Sequence, residues 1–152
     1  MKRDWQALAE GRDCPFDNID RQDQSSLIHI TDLSVSALYL DRNQVFPGHC
    51  VLVFGPRHVT RIDNLSAAEW LDLAKDIYTA EVAIFRACSP DHMNVESLGN
   101  VVPHLHWHII PRYRSDPRWG SPVWGTGVDD PGEVLLDAAG YTELAGRIRE
   151  LL

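Results

Sequence analysis

The chain has 152 residues, the commonest size for one compact domain, and its 44% hydrophobic and 24% charged residues are ordinary values for a globular protein. With 14 basic and 22 acidic side chains, the net charge is −8, which argues against a protein that wraps nucleic acid or lies on an anionic membrane. No stretch of about 18 apolar residues predicts a membrane span, and the acidic N-terminus lacks the apolar run of an export signal. Three scattered cysteines are too few for a disulfide framework, so we expect a single cytoplasmic domain over residues 1–152.

The first third of the chain predicts one short helix and three strands. Residues 3–10 predict the helix, and a polar loop follows it to residue 26. Residues 27–30 and 35–40 are rich in β-branched and aromatic side chains, which predicts an antiparallel hairpin that turns near Thr31. The apolar run at residues 50–54 is typical of a strand buried on both faces.

A long helix is predicted from Ser66 to about Cys88. Ser66 and Glu69 have the spacing of a capping box, in which each side chain accepts a hydrogen bond from an amide at the start of the helix. An apolar stripe that faces a core recurs at three- and four-residue steps, at Trp70, Leu73, Ile77, Ala80, Ile84 and Cys88.

The second half predicts two more strands, at residues 92–98 and 104–110. Residues 111–132 have no periodicity and predict a loop, and a last helix is expected to begin at Thr142, with Glu143 in its first turn. The order β-β-β-α-β-β-α predicts an α+β fold with a mainly antiparallel sheet covered by helices.

Residues 104–110 read His-Leu-His-Trp-His-Ile-Ile, and alternation along a strand places His104, His106 and His108 on one face. Three interpretations of this face follow: a solvated surface, a metal site that uses two of the imidazoles with ligands from elsewhere, or nucleophilic chemistry on an anionic substrate. Only seven histidines occur in the chain, which counts against the first. The Cα atoms of the two outer histidines, His104 and His108, are about 13 Å apart on a strand, so one ion can hardly bind all three imidazoles. Neutral imidazole is a good nucleophile at physiological pH, and the phosphoramidate that it forms readily passes its group to water.

The sequence resembles the histidine triad (HIT) family of nucleotide hydrolases and transferases, and within it the bacterial diadenosine-polyphosphate hydrolases. The family signature is His-φ-His-φ-His-φ-φ, where φ is apolar, and residues 104–110 match it at every position. The resemblance covers roughly residues 27–112 and also includes, in the family's order, Tyr39-Leu40-Asp41, Phe46-Pro47-Gly48-His49, Val51-Leu52-Val53, Pro56-Arg57-His58, the helix after Ser66, Asn94 and Gly99-Asn100. It implies a HIT-like fold with a five-stranded sheet, one long helix and a C-terminal helix, divided into an N-terminal helix and loop (1–26), a HIT core (27–112) and a C-terminal loop and helix (113–152).

The resemblance also implies roles for four histidines. His106 is expected to attack the α-phosphorus of a nucleoside phosphate, with its other ring nitrogen donating to a backbone carbonyl. His108 is expected to hydrogen-bond the phosphate or the leaving oxygen. His104 is expected to orient the site, and His49 to pack beside His104 as a fourth imidazole.

Four further residues are expected to bind the substrate by the same resemblance. Asp41 stands where the family places an acid that accepts from both ribose hydroxyls. Asn94 and Asn100 match positions with amide side chains near the phosphate, and Gly99 would let the backbone approach the substrate closely.

Two departures from the family pattern stand out. Val101 occupies a position where many relatives carry a hydroxyl that can serve the leaving group, so the leaving-group preference stays open. Some relatives bind a structural zinc through Cys-x-x-Cys and two histidines, whereas here Cys14 is followed by Asp17, with His58 and His104 at plausible spacing. We expect no bound metal and no cofactor.

We therefore expect an enzyme that hydrolyses dinucleoside polyphosphates or nucleoside phosphoramidates at the α-phosphate through a nucleotidyl-histidine intermediate. A nucleotide-binding module with little turnover, or a metal-dependent hydrolase, remains an alternative. Trp119 and Trp124 could stack on a base or seal a dimer interface, and we favour the interface because members of the family form two-fold dimers. The arginines expected to offset the charge of a polyphosphate are Arg57, Arg112, Arg114 and Arg118.

Overall fold

The computed structural model describes residues 4–124 and 132–152. Five strands and three helices form the domain, together with a short 3-10 turn at Ile62–Asn64. In chain order they are α1 (Trp5–Ala9), β1 (Leu27–Asp32), β2 (Ser36–Asp41), β3 (Cys50–Phe54), α2 (Ala67–Cys88), β4 (His92–Glu96), β5 (His106–Arg112) and α3 (Ala138–Arg149). No helix in the described ranges has the length and apolar character to cross a membrane.

The five strands form one sheet in the order β1-β2-β3-β5-β4, and every neighbouring pair is antiparallel. β3 lies at the centre and all five of its residues are buried, as its apolar run predicts. One face of the sheet packs on α2 and α3 through a single apolar core, which includes Leu52, Trp107, Leu73, Ile84 and Ile148. The predicted α+β fold is therefore confirmed. The helices α2 and α3 do not cover the opposite face of the sheet.

The long helix α2 begins as its capping box predicts. The Ser66 hydroxyl accepts from the Glu69 amide, and the Glu69 carboxylate accepts from the Ser66 amide, so both polar groups at the helix start are paired. The helix continues to Cys88 and is terminated by Ser89, which adopts a left-handed conformation with a φ of 48°.

The last helix begins four residues earlier than predicted. Asp137 is its N-cap, and the Asp137 carboxylate accepts from the Gly140 amide at 2.7 Å, so α3 begins at Ala138 instead of Thr142. The prediction was wrong because Thr142 and Glu143 resemble a helix start, whereas the actual cap lies before the glycine.

The other boundaries shift for local reasons. β1 continues to Asp32, so the hairpin turns at residues 33–35 instead of near Thr31. β4 ends at Glu96 and β5 starts at His106, each two residues short of the predicted strand. Leu105 bonds to Val59 and Phe54 instead of joining the regular ladder. The predicted loop loses residues 111 and 112 to β5, and its residues 125–131 lie outside the described part of the chain.

Candidate active site

Two histidines of β5 project together from the open face of the sheet. The ladder pairs His106 with Val53 and His108 with Val51, while Trp107 and Ile109 between and beyond them enter the core against the helices. The rings of His106 and His108 have their centroids 5.2 Å apart. The structure thus brings these two imidazoles together, as strand alternation predicts.

One ring nitrogen of His106 is hydrogen-bonded to the backbone. Its Nδ1 lies 2.6 Å from the carbonyl oxygen of His104, so Nδ1 carries the hydrogen and donates it. Burial lowers the pKa of His106, which keeps the ring neutral. Its Nε2 therefore bears a lone pair, which is the state that a nucleophilic imidazole requires.

His108 is paired with His49, the residue that precedes β3. His49 Nε2 and His108 Nδ1 are 3.0 Å apart, and His49 Nδ1 is 3.7 Å from the Asp41 carboxylate. Burial lowers the pKa of His49 to about 3 and that of His108 to about 4, and the proximity of neighbouring imidazoles adds to both shifts. Both rings are therefore neutral near pH 7, and one donates to the other.

The expectation that His49 packs beside His104 is wrong. β3 runs antiparallel to β5 with Cys50 opposite Ile109, so the residue before β3 lies at the far end of β5 from His104. His58 takes the position beside His104, with ring centroids 5.1 Å apart. The turn before His49 requires a glycine, because Gly48 has a φ of 92° and a Cβ there would lie 2.5 Å from Cys88 Sγ.

A cavity of about 410 Å³ opens beside the two β5 imidazoles. We call it the β5 cavity; it is lined by Phe16, residues 98–102, His106, His108 and Trp124. Gly99 and Asn100, both predicted from the resemblance, contribute to this wall, and Gly99 has a φ of 74° that favours glycine.

Two aromatic residues also belong to the site: Phe16, which no sequence pattern indicated, and Trp124, which was expected in a different role. The Phe16 ring centroid is 5.0 Å from that of His106, and the Trp124 ring is 5.1 Å from His108 and 6.3 Å from His49. Trp124 contacts histidines of its own chain, and its expected place at a dimer interface stays a prediction. Neither residue belongs to a periodic element, so no local pattern could have placed it.

Comparison with known proteins agrees with this geometry, since the HIT domain matches residues 21–115. The chain belongs to the HIT family. A bis(5'-nucleosyl)-tetraphosphatase [asymmetrical] of Schizosaccharomyces pombe is 33% identical over 87 residues, which cover 54% of this chain and 47% of that protein. The Protein hit of Bacillus subtilis is 36% identical over 102 residues, 60% of this chain and 66% of that protein. The chain thus spans about half the length of the yeast relative and two thirds of the bacterial one.

Solved structures share the fold of this HIT chain. A histidine triad (HIT) protein from Sinorhizobium meliloti superposes with a TM-score of 0.77 at 24% identity, covering 91% of this chain and 99% of that one. A histidine triad protein from Bradyrhizobium japonicum gives a TM-score of 0.76 at 27% identity, with 90% and 98% covered. The match to nearly the whole of both chains supports the five-stranded sheet as the HIT architecture.

His104 connects this HIT core to the N-terminal loop. Its Nε2 lies 2.8 Å from the carbonyl oxygen of Phe54, and its Nδ1 lies 3.0 Å from the Asp17 carboxylate and 3.7 Å from Cys14 Sγ. Asp17 also contacts His58 Nδ1 at 2.9 Å. His104 thus connects the site to the N-terminal loop: its carbonyl accepts a hydrogen bond from His106, and its ring contacts Asp17.

His104, Asp17, Cys14 and His58 form a cluster whose side chains fit a divalent metal ion. Ligand atoms of Cys14, Asp17, His58 and His104 all lie within 4.8 Å of one another. Because His104 Nε2 faces a carbonyl and must donate, a positive charge between Nδ1 and the Asp17 carboxylate would satisfy both. His58 Nε2 is buried with no hydrogen-bond partner within the described part of the chain. A zinc ion held by these four side chains would tie the N-terminal loop to residue 104 as a structural centre; the expectation of no bound metal stays a prediction.

The structure gives the predicted phosphate-binding arginines other partners. Arg57 bonds to Glu69, Arg114 to Asp91, and Arg112 to both carboxylate oxygens of Asp116. Arg112 also donates to the side-chain oxygen of Asn94, and Asn94 lines a different cavity from the β5 cavity. Arg118 donates to a backbone carbonyl of its own loop, at Val123. The expectation that these arginines line the phosphate site is wrong, because they hold loops together instead.

Asp41 is a half-buried carboxylate at the end of β2. It accepts from the Asn43 amide at 2.8 Å, and burial raises its pKa to about 6. A carboxyl group whose pKa is higher in the folded state than in the unfolded chain destabilises the fold once it ionises. The cost therefore grows as the pH rises from about 4 to about 6 and is complete above that.

Asp41→Asn is accordingly expected to make the ligand-free protein more stable, by about 1–3 kcal/mol at pH 8. At pH 3 the variant and the parent should unfold with nearly equal free energies, because Asp41 is then mostly protonated in both the folded and the unfolded chain. Urea denaturation at the two pH values measures the difference. A variant that is less stable at pH 8 would contradict the burial argument.

Proposed function

We propose that this HIT chain hydrolyses nucleoside 5′-phosphate derivatives at the α-phosphorus through a covalent intermediate on His106. The observation that carries the proposal is the bond from His106 Nδ1 to the His104 carbonyl, which leaves Nε2 with a lone pair beside the β5 cavity. The name of the yeast relative, a bis(5'-nucleosyl)-tetraphosphatase, supports a substrate of this class.

The reaction proceeds in two displacements. His106 Nε2 attacks the α-phosphorus, a P–N bond forms, and the bond to the leaving group breaks with its electron pair going to the leaving atom. A proton carried by His108 goes to that atom, since a bound phosphate anion raises the pKa of His108 from its low value in the free site. Water then attacks the phosphorus, gives its proton to His108, and displaces His106 to release the nucleoside monophosphate.

The nucleoside is held on the other side of the phosphate. Asp41 is ionised above pH 6 and accepts from both ribose hydroxyls, and its carboxylate lies 3.7 Å from His49, which contacts His108. The base packs against an apolar group on the same face of the sheet, which includes the buried Tyr39, Val51 and Val53 and the partly buried Leu27 and Ala37. The chain from Asp41 through His49 to His108 thus couples ribose binding to the placement of the imidazole that serves the leaving group.

The direct test is to isolate the intermediate. A nucleoside phosphoramidate is mixed with the enzyme and quenched within milliseconds in alkaline denaturant, because the histidine–phosphorus bond is labile in acid. Peptide mass spectrometry should show a nucleoside monophosphate adduct on His106, formed and lost at rates that account for turnover. Turnover with no adduct, or with the adduct on another residue, would refute the covalent route.

Chelation distinguishes this reaction from metal-dependent hydrolysis. After prolonged EDTA treatment, kcat is expected to stay within about twofold, because imidazole and not a metal-bound hydroxide is the nucleophile. A zinc ion lost from the cluster at Asp17 would lower the melting temperature without removing activity. Loss of activity restored by added metal would favour the metal-dependent alternative, whereas tight nucleoside monophosphate binding without turnover of any substrate would favour a binding module.

We also propose that the chain forms a homodimer through the β4 edge of the sheet. β4 is paired on one side only within the described residues, and Val95 on it and Leu98 beyond it are exposed. Light scattering should give twice the chain mass of 17.2 kDa, and Val95→Lys should give the monomer. A monomeric parent protein would contradict this assembly.

A further inference from the structure

Another cavity, of about 490 Å³, lies between α3, the end of α2, the loop after β5 and the turn before β3. We call it the α3 cavity; its wall includes Pro47, Gly48, Cys88, Tyr113, Leu144 and Arg147. We infer that the α3 cavity binds a small amphipathic carboxylate, a molecule with an apolar body and one negative charge, and that the bound molecule acts on the turn that holds His49. The wall shares no residue with the β5 cavity, so this site is separate from the proposed hydrolysis.

Much of the wall is apolar and suits the body of such a ligand. Val45, Pro47, Pro117 and Leu144 contribute to it, and both prolines are exposed. The Tyr113 hydroxyl donates to the Pro47 carbonyl at 3.0 Å, which holds two sides of the wall together. The volume lies within the usual range of small-molecule sites, roughly 300–1,000 Å³. A ligand gains about 25 cal/mol for each Å² of apolar surface that it covers.

Arg147 supplies a positive charge at this wall. It is exposed in the last turn of α3, and it has no hydrogen bond or ion pair within residues 4–124 and 132–152. Burial raises the pKa of the Cys88 thiol and raises that of Tyr113 to about 12, and the nearby Arg147 charge opposes both shifts. Both groups are therefore neutral near pH 7, and neither gives the guanidinium a negative partner.

Asp116, the acidic residue of the wall, is already paired. Both of its carboxylate oxygens accept from Arg112, and its side chain is only 2% exposed. The α3 cavity therefore presents one uncompensated positive charge, at Arg147, in a chain whose net charge is −8. A single guanidinium can donate to both oxygens of a carboxylate, whereas a phosphate dianion carries more charge than one arginine neutralises.

The bound molecule contacts the turn that holds His49. Gly48 lies in the wall, and it packs so closely on Cys88 that a Cβ there would lie 2.5 Å from the sulfur. A turn packed this tightly transmits a displacement instead of absorbing it. His49 follows Gly48 directly, and its Nε2 lies 3.0 Å from His108 Nδ1. A ligand in the α3 cavity is thus one residue away from the imidazole pair of the site.

The test compares octanoate with octanamide, a neutral molecule of nearly the same shape, in calorimetric titrations of the full chain near neutral pH. Octanoate should bind at a single site and at least about fivefold more tightly than octanamide, because only the carboxylate forms a charge-assisted pair with Arg147. Equal affinities for the two probes, or no binding of octanoate at millimolar concentration, would overturn the inference.

Cys88 reports where the probe binds. Its thiol lines the α3 cavity and is partly exposed, whereas Cys14 and Cys50 are buried. Octanoate should slow the alkylation of Cys88 by iodoacetamide, with a half-maximal effect at the Kd that calorimetry gives. Mass spectrometry of the Cys88 peptide measures the rate. Alkylation that continues at the same rate while octanoate is bound would place the probe elsewhere and contradict the assignment.

Arginine variants identify the charge that selects the ligand. Arg147→Gln should bind octanoate no more tightly than octanamide, and its affinity for octanamide should match that of the parent protein. Arg86→Gln is the matched control, since Arg86 is also an exposed arginine in the last turn of a helix but lies outside the wall. If both variants lose octanoate affinity equally, the net charge of the chain and not Arg147 attracts the carboxylate, and the site is wrongly assigned.

Proton NMR measures the action on the His49 turn. Octanoate, at a concentration that saturates the parent protein but not Arg147→Gln, should shift the imidazole signals of His49 and His108 in the parent and leave them nearly unchanged in the variant. The signals of His92, an exposed residue of β4 outside the wall, are the internal control. Unshifted His49 and His108 signals with octanoate bound would refute the action on the turn. None of these measurements uses turnover, so their failure would leave the proposed function intact.

Discussion

His106→Ala is expected to lose at least about 10⁴-fold in kcat on any nucleoside phosphoramidate that the parent protein hydrolyses. The loss should be this large because no other described group is held with a lone pair in the same geometry: His108 is engaged with His49, and His104 with Phe54 and Asp17. Steady-state release of the nucleoside monophosphate measures it.

His92→Ala is the control for this variant. His92 is an exposed histidine of β4, so its removal should leave kcat within about twofold. Circular dichroism and calorimetry with the nucleoside monophosphate confirm that His106→Ala still folds and binds. Turnover by His106→Ala at the parental rate would show that the nucleophile lies elsewhere.

Local patterns predicted most of the fold because each element carries its own signal. The capping box at Ser66 begins α2, and the uninterrupted apolar run of β3 follows from burial of both of its faces. The start of α3 was missed because two cap signals compete within a few residues, and the cap with the better hydrogen bond, Asp137, is followed by a glycine that weakens the helical pattern.

Strand alternation and the family signature predicted only part of the site. Alternation places His106 beside His108, but it cannot say which strand end lies near His49, because that depends on the pairing register of β3 with β5. The contact between Trp124 and His108 depends on a loop with no periodicity. The arginines were misassigned for a related reason: an arginine's partner is a property of the folded surface, and sequence spacing does not reveal that Arg112 is bonded to Asp116.

Asp76, which no sequence pattern singled out, determines where the hairpin of β1 and β2 turns. It lies on α2, it is buried, and it appeared in the sequence only as one acidic residue of a helix. Its carboxylate accepts from the Ser34 amide and hydroxyl at 3.1 and 3.0 Å, from the Val35 amide at 2.9 Å and from the Ser36 hydroxyl at 2.8 Å. Two backbone amides of the turn therefore have a helix side chain as their partner, which moves the turn to residues 33–35.

Asp76→Ala is expected to lower the free energy of unfolding by about 3 kcal/mol, because it leaves two part-buried amides and two hydroxyls, one of them on the buried Ser36, without their acceptor. For a domain of this size the melting temperature should fall by roughly 10 °C. Asp72→Ala, one turn earlier on the same side of α2 but with its side chain about half exposed, removes only a surface pair with Lys75 and should cost no more than about 0.5 kcal/mol. Asp76→Asn should fall between the two, since one amide oxygen can still accept from the turn while its NH₂ group faces donors. Equal melting temperatures for Asp76→Ala and Asp72→Ala would show that water replaces the carboxylate at this turn and that the hairpin does not depend on the helix for its conformation.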